Sequence, residues 1–220
     1  MDKSAARRAA FCYALYMSEK KQLLHISGGE AFDTYEKFLD FLRTRTIQIE
    51  NEFPAAWTTQ EKLQEALGEE WHVIRPQMPN KQNAQYNEWK IWFEKYLEHM
   101  KDSFVLTGLS LGAMFLARYL SENLITPKPA KVLLLAGAAV KEDMGGEDGG
   151  DFFAELDQLQ KITEQGFEVH LLHSQDDPLV PFKHLQVFSE NMPNAQTHIF
   201  NDKAHFWYPE CSEVIEIIKK

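Results

Sequence analysis

Between Phe104 and Leu120 the sequence reads FVLTGLSLGAMFLARYL, and its apolar rhythm changes across Gly108-Leu109-Ser110-Leu111-Gly112. Before the first glycine the run is short and continuous, as in a buried strand, whereas beyond the second it follows helical spacing. A strand that becomes a helix within so few residues has to turn sharply, and the residues flanking the turning position then have no room for side chains. Glycine on either side meets that demand. The junction fixes a strand, the helix behind it and one serine lifted clear at the strand's carboxyl end.

The same alternation runs along the rest of the chain. Gln22 to Ser27 reads as a buried strand ended by Gly28-Gly29. A helix follows with Phe32, Tyr35, Leu39 and Leu42 on its apolar stripe, and Thr58 or Thr59 is placed to cap another that runs through Leu67 to Gly68. WHVIRPQMP supplies a second strand halted by its prolines. Trp89, Trp92, Phe93, Tyr96, Leu97 and Met100 then recur at helical spacing and predict a core-facing helix. Further strands are expected at Ser103 to Thr107, Lys131 to Ala136, Phe167 to His173 and Gln196 to Phe200. Helices are expected from Leu111, near Phe153 to Glu164, around Phe182 to Met192, and through Val214, Ile215 and Ile218. Strands alternating with helices imply an α/β fold, a parallel sheet covered on both faces in a three-layer α/β/α sandwich. Sites in such sheets form beyond the carboxyl ends of the strands.

With 220 residues, 44% of them hydrophobic, the chain can bury one full core, and no shift in composition argues for a second. Residues 1–20 read as an N-terminal extension or helix and residues 21–220 as the domain. A formal charge of -10 opposes binding to nucleic acid or to an anionic membrane, which are captured by clustered Lys and Arg. No apolar stretch is long enough to span a bilayer, and the short run after Arg7 and Arg8 lacks a cleavage signal. Cys12 and Cys211 have no metal-ligand or redox spacing and fit reduced thiols in a cytoplasmic protein. Nothing in the sequence speaks to oligomeric state.

Ser110 is the candidate nucleophile, and the Leu111 amide, at the head of the following helix, is aimed at an oxyanion formed when Ser110 attacks a carbonyl. A serine hydroxyl needs a base with an orienting acid, in the chain order Ser, acid, His. HSQDDPLVPF places Asp176 and Asp177 just past one strand, and NDKAHF places His205 just past the next. Neighbouring side chains in an extended segment project oppositely, so only one of the two acids can face His205; Pro178 biases Asp177 towards the extended conformation that favours it. The second oxyanion donor is expected in the loop after the first strand, from the amides of Gly29 and Glu30. His170 and His173 would point to opposite faces of a strand and suggest no metal site, and the chemistry needs neither metal nor organic cofactor. The acidic, Gly-rich stretch Lys141 to Asp151 is expected to be a mobile flap at the site rim, with Phe152 and Phe153 lining an acyl pocket.

TGLSLGA, HSQDDPLVPF and NDKAHF together resemble the α/β-hydrolase superfamily, and within it the small serine hydrolases that include retinoblastoma-binding protein 9 and the bacterial YdeN-like proteins. The resemblance covers most of Gln22 to Lys220. It implies a six-stranded parallel sheet in chain order 2-1-3-4-5-6 with little or no cap. Its D-x-x-V-P run selects Asp177 as the acid, beside Ser110 and His205. The chain departs from the family in having His25-Ile26-Ser27-Gly28-Gly29 where a His-Gly pair is usual, and Ala204 where glycine often precedes the histidine. The activity implied is that of a serine hydrolase acting on a small-molecule acyl substrate, an ester, thioester or amide. A non-catalytic binding protein on the same scaffold and an acyltransferase using the same residues are the alternatives.

Overall fold

The computed structural model describes residues 20–46, 56–144, 148–207 and 210–220. Its elements, in order, are β1 (Lys21–Ile26), α1 (Tyr35–Thr44), α2 (Ala56–Leu67), β2 (Trp71–Ile74), α3 (Tyr86–Leu97), β3 (Val105–Leu109), α4 (Leu111–Glu122), β4 (Lys131–Leu135), α5 (Gln160–Glu164), β5 (Glu168–Ser174), α6 (Lys183–Asn191), β6 (Gln196–Phe200) and α7 (Ser212–Lys219). The six strands form one sheet in the order β2-β1-β3-β4-β5-β6, every neighbouring pair parallel. All six carboxyl ends therefore lie along one edge.

Successive residues of a strand face opposite sides of a sheet, so a strand buried on both faces must be apolar throughout. β4 shows this directly: Val132 and Leu134 join one apolar layer while Leu133 and Leu135 join the other. The first layer lies under α3 and α4, whose Trp89, Phe93, Phe115 and Tyr119 meet edge to face, with ring centroids 4.9–5.8 Å apart. The second lies under α2 and α7, through Leu63, Leu67, Val214, Ile215, Ile217 and Ile218. α4 is buried on nearly every side, which explains why its sequence is apolar all round rather than along one stripe.

Several expected elements are displaced. β3 begins two residues later than its apolar run suggests and continues to Leu109, because the ladder to β4 extends to Leu109 and Leu135. α2 starts at Ala56, so neither Thr58 nor Thr59 caps it. The expected helix near Phe153 to Glu164 is reduced to a short 3₁₀ turn, Leu156–Gln158, and the five residues of α5. In α3, Trp92 is 43% exposed while Trp89, Phe93 and Leu97 are buried, so the inward stripe is narrower than the aromatic spacing suggests. α1 buries no residue at all. It turns Phe38 and Phe41 towards Phe32, at 5.6 and 5.1 Å between centroids, and leaves Tyr35 62% and Leu42 48% exposed. Residues 1–19, Cys12 among them, and the whole stretch from Ile47 to Phe53 lie outside the described residues. Among the described residues no helix is long and apolar enough to cross a membrane.

Candidate active site

Ser110 stands between β3 and α4 with φ 57° and ψ -124°, a conformation that costs a non-glycine residue about 1–3 kcal/mol. The surrounding backbone holds it there. Its N–H donates to the Leu135 carbonyl at 2.9 Å, and its carbonyl accepts from Ala113 at 2.9 Å and Met114 at 3.1 Å, starting α4. Both flanking glycines are required by close approach: a Cβ on Gly108 would lie 2.5 Å from the Gly112 carbonyl oxygen, and one on Gly112 would lie 2.2 Å from that of Ile26. The α4 backbone is thus pressed onto the end of β1. Gly112→Ala is expected to lower stability by about 3 kcal/mol, an overpacking penalty against backbone rather than a movable side chain. Thermal melts would show it as a fall of roughly 6–12 °C for a chain of this size.

The loop after β1 lies against the serine. A Cβ on Gly28 would be 3.0 Å from Ser110 Cβ and 3.4 Å from its Oγ, and one on Gly29 would be 3.5 Å from the Leu111 side chain. No acceptor among the described residues takes up the N–H of Gly29 or of Leu111. Glu30 is different. Its N–H donates to the Lys81 carbonyl at 2.7 Å, and its carbonyl accepts from Ala84 at 2.8 Å, so this amide is committed to the scaffold and the expectation that it serves an oxyanion is corrected.

Past β5, Asp177 is drawn under the strand ends, with its side chain fully buried. Oδ1 accepts the N–H groups of Leu179 and Val180 at 2.9 and 3.0 Å, and Oδ2 lies 2.8 Å from Nδ1 of His205. His173, on β5, donates from Nε2 to the Val180 carbonyl at 2.9 Å, and the same nitrogen is 3.5 Å from Asp177 Oδ2. A carbonyl only accepts, so Nε2 of His173 carries the proton and its positive edge faces the carboxylate. Burial alone would raise the Asp177 carboxyl; the hydrogen bonds from His173 and His205 outweigh it and hold the group well below the usual carboxylate range.

His205 is 5% exposed and sits in a strained loop between Ala204 at φ 47° and Phe206 at φ 51°. The left-handed conformation at 204 is the physical reason glycine suits that position. Phe206 is buried in the same apolar layer as Leu135 and Ala136, with Leu109 packed against it, which draws the histidine back over the ends of β5 and β4 towards β3. Asp176 makes no hydrogen bond to the His205 ring among the described residues. Its Oδ1 accepts from the Ala204 N–H at 3.0 Å and from the Ser174 hydroxyl, and Ser174 Oγ in turn accepts from the Lys203 N–H at 3.0 Å. Sequence spacing gave no sign of this clamp or of the role of His173. The structure joins His205 to Asp177 and sets Ser110 on the same edge, but no hydrogen bond links the Ser110 hydroxyl to His205. In a ligand-free site that contact is often long and closes in the substrate complex.

The two phenylalanines part company. Phe152 is fully buried against Trp89, Tyr86 and Phe115 and belongs to the core, not to a pocket. Phe153 lines a cavity of about 440 Å³ with Phe32, Phe41, Met144 and Gly149. A Cβ on Gly149 would meet Met114 Cε at 2.6 Å, so Gly149 lies against the side chain one helical turn beyond Ser110. The expected flap is tied at both ends: Lys141 pairs with Asp33 at 2.7 Å, Asp148 with Lys37 at 2.8 Å, and Gly149 bridges to Ala31. Gly145 and Gly146 lie outside the described residues. Among the described residues no group of three or more His, Cys, Asp or Glu is placed to hold a metal ion.

A family model described as serine hydrolase matches residues 50–215, well over half of the chain. The chain belongs to the serine hydrolase family. No curated protein matches its sequence. Among solved structures, the ydeN gene product of B. subtilis superposes with a TM-score of 0.65 at 18% identity, over 91% of this chain and 97% of that one. A meta-cleavage product hydrolase from Pseudomonas fluorescens gives 0.62 at 12%, over 91% and 89%. A lipase-esterase related protein from Clostridium acetobutylicum gives 0.59 at 15%, over 90% and 93%. At such identities the likeness concerns the fold: this serine hydrolase has the α/β-hydrolase fold, with the strand order the resemblance implied.

Proposed function

We propose that this serine hydrolase cleaves a small ester, thioester or amide through an acyl-enzyme on Ser110. The observation that carries the reading is the buried Asp177–His205 pair, 2.8 Å between Oδ2 and Nδ1, lying over the same sheet edge as a serine held at positive φ. With Nδ1–H donating to Asp177, Nε2 of His205 presents a lone pair and takes the Ser110 proton as Oγ attacks the carbonyl carbon. The negative charge on the carbonyl oxygen is received by the N–H groups of Leu111 and Gly29. The proton passes from His205 to the departing oxygen, sulfur or nitrogen as that bond breaks. Water, deprotonated by the same Nε2, then frees the acid and restores Ser110. The leaving group must face His205, which arrives from the β6 side.

A fluorophosphonate probe tests the reading, because it phosphonylates only a serine whose hydroxyl is activated. Incubation should add one probe per chain, mapped to the peptide containing Ser110 by mass spectrometry. Folded protein that stays unlabelled, or carries the probe elsewhere, would overturn it.

A further inference from the structure

On the far side of the nucleophile from His205, four side chains of different origin converge at the carboxyl ends of β1 and β2. His25 points from β1 to the same face as Thr107 of β3, Ser27 comes directly after β1, and Arg75 follows β2. Lys81 reaches in from the loop before α3, and its Nζ donates to Ser27 Oγ at 3.3 Å. This is a chain with 33 acidic and 23 basic side chains, yet among the described residues no carboxylate pairs with Lys81. Burial pushes the Lys81 ammonium down from its ordinary value, and the Arg75 charge pushes it further.

His25 supplies a second and independent sign. It is 2% exposed, its Nδ1 bonds Thr107 Oγ1 at 2.9 Å, and its Nε2 is buried with no partner. Burial, with the charges of Arg75 and Lys81, pushes the ring down to about 3, so it is neutral under all ordinary conditions. The Thr107 hydroxyl can donate to Nδ1 or accept from it; in either case Nε2 has no partner, and when the ring proton sits on Nε2 it is a donor without an acceptor. A buried polar atom left unmet costs about 1–3 kcal/mol, and a partly buried ammonium beside a second cation and without a carboxylate partner adds to that cost. Both deficits are relieved by one event, the arrival of an anion.

We infer that Lys81, Ser27 and His25 form a subsite for a carboxylate carried by the acyl part of the substrate. This rests on the hydrolase reading above and names its substrate class. The side of the sheet decides which part of the substrate bears the charge. His205 must meet the leaving group and comes from the β6 side, so the acyl chain is directed the opposite way, towards β1 and β2. Ser27 is joined directly to Gly28, which abuts Ser110, so Lys81 Nζ is within reach of an acyl chain of roughly three to five carbons that ends in a carboxylate. The single charge of a carboxylate matches the single unpaired ammonium.

The test compares p-nitrophenyl hemiglutarate with p-nitrophenyl pentanoate, its neutral analogue of equal chain length, in wild type, Lys81→Met and Lys81→Arg. In wild type, kcat/KM for the anionic ester should exceed that for the neutral one by roughly 10–100-fold, the range of one charge-assisted hydrogen bond. That ratio should fall to about one in Lys81→Met and be largely kept in Lys81→Arg. Lys81→Met should also melt no lower than wild type, since it removes an unpaired cation beside Arg75. If Lys81 only supports the loop through Ser27, both esters slow together and the ratio survives, which overturns the proposal. Equal rates for the two esters in wild type overturn it as well. If neither ester is turned over, titration calorimetry of Ser110→Ala with hemiglutarate decides separately. Binding lost in the Ser110→Ala, Lys81→Met double variant keeps the subsite and discards the reaction; no binding discards both.

Discussion

Ser110→Ala is expected to lower kcat for any ester this protein turns over by roughly 10⁵–10⁶-fold, since deletion of the nucleophile in a serine–histidine–acid site costs about as much as deletion of the whole set. Loss of fold would give the same loss of rate, and the backbone at 110 separates the two. Alanine inherits the positive φ of the serine, so Ser110→Ala should melt near wild type. Ser110→Gly removes the side chain that makes φ 57° costly and should be more stable than wild type by about 1 kcal/mol, while equally inactive. Parallel melts and initial rates on the three proteins check this. A glycine variant less stable than wild type would mean that the turn is not strained. An alanine variant keeping more than about a thousandth of the rate would mean that another group does the chemistry.

That strain also explains why the centre of this molecule was legible in its sequence and its edges were not. Gly108 and Gly112 are dictated by the backbone contacts of 2.2–2.5 Å that a Cβ would make there, so the spacing alone carries the turn around Ser110. β4 and β5 are buried on both faces, and a continuous apolar run can mean little else there. α1 failed the same reading. Its apolar residues at 35, 39 and 42 have helical spacing, but they touch solvent because the helix docks through Phe38 and Phe41 onto a loop, a tertiary choice that spacing does not encode. Phe152 failed because two adjacent phenylalanines in a loop carry no sign of which one turns inward. The unpaired Lys81 was invisible for a similar reason. A lysine among polar residues looks solvated until the fold shows that Ser27 and Arg75 are its neighbours.

The same limit applies to the paired acids, where the structure gives each a separate task and the two isosteric substitutions should differ sharply. Asp177→Asn keeps an Oδ1 for the Leu179 and Val180 N–H groups, so the turn is preserved. At the other end it sets an NH₂ against His205 Nδ1, which must then accept, and the ring proton moves to Nε2. The base is lost because the lone pair facing Ser110 is gone, and turnover should fall by roughly 10⁴-fold. The same NH₂ meets the Nε2–H of His173, 3.5 Å from Oδ2, donor against donor, at a stability cost of about 1–3 kcal/mol. That cost depends on pH with a definite sign. The folded Asp177 carboxyl lies below its unfolded value, so its contribution is present above about pH 4 and fades as acid protonates it. Wild type and Asp177→Asn should therefore converge in melting temperature as the pH is lowered. Asp176→Asn retains an oxygen for the Ala204 N–H and the Ser174 hydroxyl, so the His205 loop stays clamped and turnover should fall by less than about tenfold. Steady-state rates and melts of both variants decide the assignment. A larger catalytic loss at Asp176, with both proteins folded, would move the orienting role to that residue and undo the triad as drawn.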